Sequence, residues 1–281
     1  MKANPRKPAS TTNPGQPGPV KPSTASLKGS VILITGASSG IGAACAARFA
    51  GEGARLLLAA RRLDRLRQMT DPLQLAGADA VLNVPMDVRN HEQVQSTLAA
   101  LPEEWQSIDV LVNNAGLSRG LQKLHEDRVD NWEEMIDTNV KGLLYVTREV
   151  IPGMLARGRG HVINLGSTAA HLAYPNGAVY CATKAAESRL TEGLRQEMLG
   201  TPIRVTSVDP GMVETEFSEV RFHGDKQRAA AVYQNITPLT PEDVADAICW
   251  AATRPAHVNI AQILMTTIDQ ANSIMFHRHS S

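Results

Sequence analysis

The sequence predicts an α/β protein built on a doubly wound sheet of about seven parallel strands in a single domain. After residue 29, short apolar runs alternate with segments of helical periodicity. The runs are apolar at successive positions, which is typical of parallel strands that are buried on both faces. A glycine-rich segment follows the first run, where such a sheet makes its first strand-to-helix turn.

Strands are predicted at 31–34, 54–60, 80–84, 108–112, 161–165, 203–208 and 260–266. Helices are predicted near 41–51, 63–75, 91–100, 130–156 and 176–199, and a further helix starts at Pro241. The pair Thr240-Pro241 predicts this start, because Thr is a good N-cap residue and Pro is favoured at the first helical position. Residues 210–240 form a looser segment. This alternation of strands and helices predicts a parallel sheet that is covered by helices on both faces.

Composition excludes several classes of function. The chain has 281 residues, with 28 basic and 28 acidic side chains, so no strong field favours nucleic acid or an anionic membrane. No apolar run is long enough to span a bilayer. The cysteines, at positions 45, 181 and 249, are far apart and odd in number. They fit neither a metal site nor a disulfide framework, and they favour a reducing, cytoplasmic location.

The first 29 residues differ from the rest. Met1 to Lys28 contains five Lys or Arg and no acidic residue, and it is rich in Pro, Ser, Thr and Asn. This composition predicts a disordered tail over residues 1–29, followed by one domain over 30–281. The segment lacks the apolar stretch of a signal peptide. Organellar targeting is the alternative, which the prolines disfavour because they oppose an amphipathic helix.

The segment Thr35–Gly42 places glycines and serines between the first strand and its helix. Glycines allow a sharp turn, and the N–H groups of a helix N-terminus attract a pyrophosphate. An ordinary strand-to-helix turn is the alternative, which the position after the first buried strand disfavours. The predicted nucleotide contacts in this segment are Gly36, Ser38, Ser39, Gly40, Ile41 and Gly42.

Arg61 and Arg62 stand at the end of the second strand, where an acidic residue would bind the ribose 2′-hydroxyl of NAD. Guanidinium groups can instead bind a 2′-phosphate. The sequence therefore predicts NADP rather than NAD, with a solvated basic turn as the alternative. Asp87 and Val88, after the third strand, are the predicted adenine contacts. Asn113-Asn114-Ala115-Gly116 follows the fourth strand, at the edge where such sheets bind ligands.

Tyr180 and Lys184 are four residues apart in a predicted helix, so they share one face. A free tyrosine is a poor base at neutral pH, and a neighbouring ammonium favours its phenolate form. The pair can then exchange a hydroxyl proton. Ser167 closes the fifth strand at the same edge and could hold a substrate oxygen, or simply cap a turn. Asn139, within a helix, could hold a water that leads to Lys184, or be a satisfied core amide.

Together these residues resemble the short-chain dehydrogenase/reductase family over about residues 30–268. The motifs that carry the resemblance are Thr35–Gly42, Asn113–Gly116, Asn139, Ser167, Tyr180, Lys184 and Pro210-Gly211. The resemblance implies a Rossmann-type sheet of seven strands and a catalytic set of Asn139, Ser167, Tyr180 and Lys184. It implies that Lys184 also binds the nicotinamide ribose and that Asn139 holds a relay water. It implies a homotetramer or homodimer built on the helices at 130–156 and 176–199. The further cofactor contacts that it implies are Asn114, Ala115, Gly116, Tyr180, Lys184, Pro210, Gly211, Val213 and Thr215.

Three segments further resemble the bacterial NADP-dependent 3-hydroxy acid dehydrogenases, which act on serine, allo-threonine or 3-hydroxypropionate. These segments are 101–105, 215–222 and 254–260. The resemblance implies hydride transfer between NADP and the hydroxyl-bearing carbon of a small 3-hydroxy acid. The alternatives are a broad NADPH carbonyl reductase that acts on ketones or aldehydes, and a dinucleotide-binding regulator that has lost turnover.

A carboxylate on the substrate requires a cation. Arg221, in the segment over the site, is the first candidate, and Arg119 is the second. With Ser167 and Tyr180, Arg221 completes the predicted substrate contacts. His171, Tyr174 and Met212 are further candidates for the pocket lining, with loop or core packing as the alternative for each. No metal ligand is predicted.

Overall fold

The structure is a computed structural model that describes residues 25–280. Within these residues, seven parallel strands form one sheet in the order β3-β2-β1-β4-β5-β6-β7. The strands are β1 (Val31–Thr35), β2 (Arg55–Ala60), β3 (Ala80–Pro85), β4 (Ile108–Asn113), β5 (Gly160–Leu165), β6 (Ile203–Pro210) and β7 (Gln262–Met265). The order reverses between β1 and β4, so ligands are expected beyond the carboxyl ends of these two strands. The predicted fold class is confirmed.

Helices cover both faces of this sheet. They are α1 (Gly40–Ala50), α2 (Leu63–Leu75), α3 (His91–Ala99), α4 (Val129–Ile136), α5 (Leu143–Arg157), α6 (Ala178–Glu197), α7 (Phe217–Arg221), α8 (Lys226–Val232) and α9 (Pro241–Ala252). Most bounds agree with the sequence prediction to within about two residues. Thr240 caps α9 as predicted, and Asp243 completes a capping box by accepting from the Thr240 backbone N–H at 2.8 Å.

The apolar strands form two cores, one on each face of the sheet. On one face, Phe49 of α1 and Ile248 of α9 are fully buried against alternate strand residues. On the other face, the remaining strand residues pack against Val150 of α5 and against Trp105, which precedes β4. Burial on both faces explains why the strands read as continuous apolar runs.

The predicted helix over 130–156 contains an interruption that the sequence does not reveal. Residues Asp137–Gly142 form a π-helical segment between α4 and α5. A Cβ on Gly142 would lie 2.6 Å from Cγ2 of Val88, so the absence of a side chain lets this segment approach the loop after β3. The segment also carries Asn139. A π-helical turn within an α-helix frequently marks a functional site.

Two further predictions need correction. The segment over 210–240, expected to be loose, contains the short helices α7 and α8. A disordered tail was predicted over residues 1–29. Residues 1–24 lie outside the described part of the chain. Residues 25–29 are described, and they pack on the domain. Leu27 is buried in the core, and the Ala25 N–H donates to the Thr253 carbonyl at 2.9 Å. The domain therefore extends at least to residue 25, five residues before the predicted boundary.

Within residues 25–280, no helix is long and apolar enough to cross a membrane. The same part of the chain contains no group of three or more His, Cys, Asp or Glu side chains arranged to hold a metal ion.

Candidate active site

A cavity of about 320 Å³ lies beyond the carboxyl ends of the strands, at the switch point between β1 and β4. Residues that follow six of the strands, β1 to β6, line it together. Most of the residues that the sequence assigned to cofactor or catalysis line it: Gly36, Ser38, Ser39, Gly40, Ile41, Arg61, Arg62, Asp87, Val88, Asn114, Ala115, Gly116, Ser167, Tyr180, Lys184, Pro210, Gly211, Val213 and Thr215.

Gly42, predicted as a cofactor contact, does not line this cavity and has a packing role instead. A Cβ at this position would lie 2.5 Å from Nδ2 of Asn114 and 2.5 Å from the carbonyl oxygen of Gly36. Asn114 Nδ2 donates to the carbonyls of Thr35 (2.8 Å) and Gly36 (3.2 Å). The glycine at position 42 therefore allows α1 to pack close enough for Asn114 to fasten the glycine-rich loop.

Arg62 is bound to the serines of the glycine-rich loop. Its Nε donates to Ser38 Oγ at 3.1 Å, and its Nη2 donates to Ser39 Oγ at 2.6 Å. Arg61 also lines the cavity, and it is exposed to solvent. These two guanidinium groups and two hydroxyl groups all line the cavity at the end of β2. They are hydrogen-bond donors of the kind that an anionic phosphate requires.

Glu216 also lines this part of the cavity, although it was not predicted as a site residue. Its carboxylate pairs with Arg62 (3.0 Å) and with Arg65 (2.6 Å) of α2. Glu216 directly precedes α7, so the ion pairs join the segment over the site to the arginines after β2. The partners are about 150 residues apart in the chain, so local sequence gave no signal for this contact.

Arg89 is a second lining residue that the sequence analysis missed. Its guanidinium binds both carboxylate oxygens of Asp87, with an Nη2–Oδ2 distance of 2.6 Å. Burial raises the pKa of Asp87, but the hydrogen bonds from Arg89 more than offset this effect and leave the pKa below its usual value. Asp87 is thus held ionised beside Val88 at the predicted adenine end.

Tyr180 and Lys184 lie together on α6, and both side chains are buried at the cavity wall, with 8% and 6% of their surfaces exposed. Phe217 of α7 covers the Tyr180 ring, with ring centroids 5.6 Å apart and an edge-to-face orientation. The α7 segment therefore closes the site over the phenol and shields it from solvent.

The Lys184 ammonium has two partners within the protein. It donates to the Leu165 carbonyl at 2.7 Å and to Glu187 Oε2 at 2.8 Å. Burial lowers the pKa of Lys184, but the negative charge of Glu187 reverses this effect, so the pKa lies above its ordinary value. Lys184 thus keeps its positive charge beside Tyr180. Glu187 is 2% exposed; the sequence analysis missed it, although its spacing of three residues from Lys184 was a usable signal.

Ser167 combines the two roles that the sequence left open. Its hydroxyl accepts a hydrogen bond from the Ala169 N–H at 3.1 Å and caps a short 3₁₀ turn. The residue also lines the cavity, as Tyr180 does. The cap fixes the serine oxygen, and its proton is available to a bound oxygen atom.

Asn139 is held by protein groups on three sides. Its Oδ1 accepts from the Leu117 N–H at 2.9 Å, and its Nδ2 donates to the Leu117 carbonyl and to Thr183 Oγ1. The side chain is a satisfied buried amide, which was the alternative weighed above. It lies near Lys184, because a Cβ on Gly116 would be 3.4 Å from Asn139 Oδ1 and 3.7 Å from Lys184 Nζ. Asn139 therefore fixes α6 and the loop after β4 relative to each other.

The structure distinguishes the two arginines that were predicted as anchors for a substrate carboxylate. Arg119 donates to Glu134 at 2.6 Å and to the Val220 carbonyl at 2.5 Å, so it holds α7 in place and is not directed at a substrate. Arg221 packs over the Tyr180 ring, with its Cζ atom 5.5 Å from the ring centroid. Its Nε is buried and has no hydrogen-bond partner among the described residues.

The three further pocket candidates lie outside the cavity lining. His171 pairs with the buried Asp209 at 2.7 Å. The Tyr174 hydroxyl accepts from Arg221 Nη2 at 3.2 Å, and burial raises the pKa of Tyr174. Met212 belongs to the loop after β6, and its backbone N–H donates to Gln270 Oε1 at 2.8 Å. Packing is thus the better description of each.

Residues 30–226 match the family model for short chain dehydrogenases. The chain belongs to the short-chain dehydrogenase family. This match covers the sheet through β6 and every catalytic residue that the sequence predicted.

Individual relatives are similar over nearly their whole length. The NADP-dependent 3-hydroxy acid dehydrogenase of Salmonella typhi is 48% identical over 242 residues, which are 86% of this chain and 96% of that protein. The enzyme of the same name from Schizosaccharomyces pombe is 45% identical over 240 residues, which are 85% of this chain and 93% of that protein. A solved structure described as the closed form of serine dehydrogenase complexed with NADP+ superposes with a TM-score of 0.83 at 45% identity. The superposition covers 89% of this chain and 100% of the serine dehydrogenase chain.

Proposed function

We propose that this short-chain dehydrogenase is an NADP-dependent oxidoreductase that transfers hydride between the nicotinamide and the hydroxyl-bearing carbon of a small 3-hydroxy acid. The observation that carries the proposal is the cavity that Tyr180, Lys184 and Ser167 line together. Arg221 is not among the lining residues, but it packs over the Tyr180 ring next to them. The names of the relatives support this substrate class, since they include 3-hydroxy acid dehydrogenases and a serine dehydrogenase.

The residues present fit NADP. Gly36 has a φ of +65°, and a Cβ there would lie 2.9 Å from Nδ2 of Asn114, so this glycine lets the loop before α1 turn and pack against the loop after β4. The N–H groups at the start of α1 would then face the pyrophosphate. Arg61 and Arg62, with Ser38 and Ser39, would hold the 2′-phosphate. Lys184 would bind the nicotinamide ribose through the N–H that Leu165 and Glu187 leave free.

The chemistry divides between the cofactor and the protein. When bound, NADP accepts or supplies the hydride at C4 of its nicotinamide. In the oxidising direction Tyr180, as phenolate, accepts the hydroxyl proton of the substrate while the carbon–hydrogen bond breaks. Ser167 donates a hydrogen bond to the same oxygen as it becomes a carbonyl. Lys184 stabilises the phenolate through its charge and passes the proton onward, and a water near Asn139 would continue this path. In reduction the steps reverse.

Arg221 is the proposed anchor for the substrate carboxylate. Replacing it with alanine is expected to raise the KM for serine or 3-hydroxybutyrate by about 10–100-fold, because a charge-assisted hydrogen bond contributes roughly 1.5–3 kcal/mol. The KM for an uncharged ketone should change little. Steady-state kinetics of both substrates test this expectation. Arg228→Ala is the matched control, because Arg228 also packs over an aromatic ring, that of Phe222, at 4.4 Å. Equal effects on charged and uncharged substrates would contradict the assignment.

A substrate panel tests the proposed function as a whole. The wild-type enzyme is assayed with serine, allo-threonine, 3-hydroxypropionate and 3-hydroxybutyrate in the presence of NADP+ or NAD+, and with simple ketones and aldehydes in the presence of NADPH. We expect the highest kcat/KM for a 3-hydroxy acid with NADP+. Higher kcat/KM for simple ketones would favour the broad carbonyl reductase. Absence of turnover with every compound would favour a dinucleotide-binding regulator.

We also propose that the protein is a homotetramer or homodimer that works in the cytoplasm. Exposed apolar side chains on α4 and α5, among them Ile136, Leu144 and Leu155, support an interface on these helices. Sedimentation equilibrium measures the oligomeric state. The three cysteines are free and buried, which is consistent with a reducing compartment.

A further inference from the structure

The Lys184 ammonium lies between two ionisable groups of the same helix. Tyr180 is four residues before it and Glu187 three residues after it, so all three side chains share one face of α6. All three are buried, with exposed fractions of 8%, 6% and 2% for Tyr180, Lys184 and Glu187. The Lys184 ammonium, whose charge favours the Tyr180 phenolate, is therefore paired with the Glu187 carboxylate.

The pairing of Glu187 is incomplete. Its Oε2 accepts from Lys184 Nζ at 2.8 Å, whereas its Oε1 is buried and has no hydrogen-bond partner among the described residues. Burial raises the pKa of Glu187 to about 7, although Lys184 acts in the opposite direction. The carboxylate is thus ionised above neutral pH, where its charge cancels part of the field of the ammonium.

Other charged groups around this trio have their own partners. Asp209 of β6 is fully buried and acts electrostatically on both Lys184 and Glu187. Its oxygens are held by Ser207, by His171 at 2.7 Å and by Gln262 at 2.6 Å.

On the other side of Tyr180 lies Arg221, whose Nη2 binds the Tyr174 hydroxyl. Tyr174 and Cys181 are held neutral by burial, which raises the pKa of each. Both carboxylate oxygens of Asp209 thus have partners, whereas Oε1 of Glu187 has no hydrogen bond within the described part of the chain.

We infer that Glu187 is a positioning residue that fixes the Lys184 ammonium and, through it, the electrostatic environment of Tyr180. It holds Lys184 against the Leu165 carbonyl, and its negative charge limits the effect of Lys184 on the phenol. This inference rests on the roles proposed above for Tyr180 and Lys184. It assigns to Glu187 no direct contact with substrate or cofactor.

The test replaces Glu187 with glutamine. Gln keeps an acceptor oxygen for Lys184 but removes the charge, so Tyr180 should experience the full field of the ammonium. Ultraviolet titration of the cofactor-free enzyme against its Tyr180→Phe counterpart reports formation of the Tyr180 phenolate. We expect the midpoint in Glu187→Gln to fall by about half to one pH unit. The acidic limb of the pH profile of kcat/KM for oxidation should move in the same direction.

Glu192→Gln is the matched control, because Glu192 is on the same helix but its side chain is 44% exposed and pairs with Arg189. It should leave both profiles unchanged. An unchanged or raised midpoint in Glu187→Gln would overturn the inference. If that variant does not fold, Glu187→Asp replaces it, because the shorter side chain moves the negative charge away from Lys184. The midpoint of the Tyr180 titration should then fall by a smaller amount, and an unchanged midpoint would also overturn the inference. The titration needs no turnover, so its result is independent of whether the proposed substrate is correct.

Discussion

Replacing Tyr180 with phenylalanine is expected to lower kcat by roughly 10²–10⁴-fold, the usual contribution of a general acid or base. The substitution removes one oxygen and keeps the ring that packs against Phe217 at 5.6 Å. The wall of the cavity should therefore survive, and NADPH should bind with nearly unchanged affinity. Steady-state kinetics and the fluorescence of bound NADPH measure the two quantities separately.

Tyr145→Phe is the matched control for this experiment. Tyr145 stacks on His91, with ring centroids 4.8 Å apart, and lies outside the residues that line the cavity. Its loss of a hydroxyl should leave kcat unchanged. If Tyr180→Phe kept most of its turnover, another group would have to move the proton, and the proposed mechanism would fail.

The second large effect is expected at the other end of the cavity. Arg62→Ala should raise the KM for NADP+ by about 10–100-fold and change the KM for NAD+ little. The reason is that only NADP+ carries the 2′-phosphate, and charge-assisted hydrogen bonds to such a group contribute roughly 1.5–3 kcal/mol. Kinetics with each dinucleotide at saturating substrate give both constants.

Arg67→Ala is the control for charge alone. Arg67 is on α2, its side chain is 66% exposed, and it pairs with Asp64 at 3.5 Å. It should leave the preference between the two dinucleotides unchanged. A similar increase in KM for NADP+ and NAD+ in Arg62→Ala would mean that Arg62 supports the loop, through Ser38 and Ser39, rather than binding the phosphate.

The sequence predicted the features that depend on neighbours along the chain. Strands buried on both faces, the glycine-rich loop and the four-residue spacing of Tyr180 and Lys184 are all local patterns. Residues brought to the site from far along the chain escaped prediction. Glu216 meets Arg62 across 154 positions, and Gln270 supports the loop after β6 across 58. Their local sequence carries no sign of either contact.

The two arginines show the same limit from another side. Arg119 lies in the loop after β4 and Arg221 ends α7 in the segment after β6. Composition cannot decide which of the two would bind a substrate. Only the tertiary contacts decide, because Glu134 and the Val220 carbonyl engage Arg119. Glu187 was in principle accessible to sequence reasoning, since its position on the face of Lys184 follows from helix geometry.

The π-helical segment Asp137–Gly142 fixes the number of residues that can separate α4 from α5. Each residue added to or removed from a helix turns everything after it by about 100°. The wider π-helical turn absorbs one such residue, so Val146, Val150 and Met154 of α5 stay buried against the sheet. Deleting one residue here should therefore spare the packing of α5 but displace Asn139, whose hydrogen bonds to Leu117 and Thr183 start from this segment.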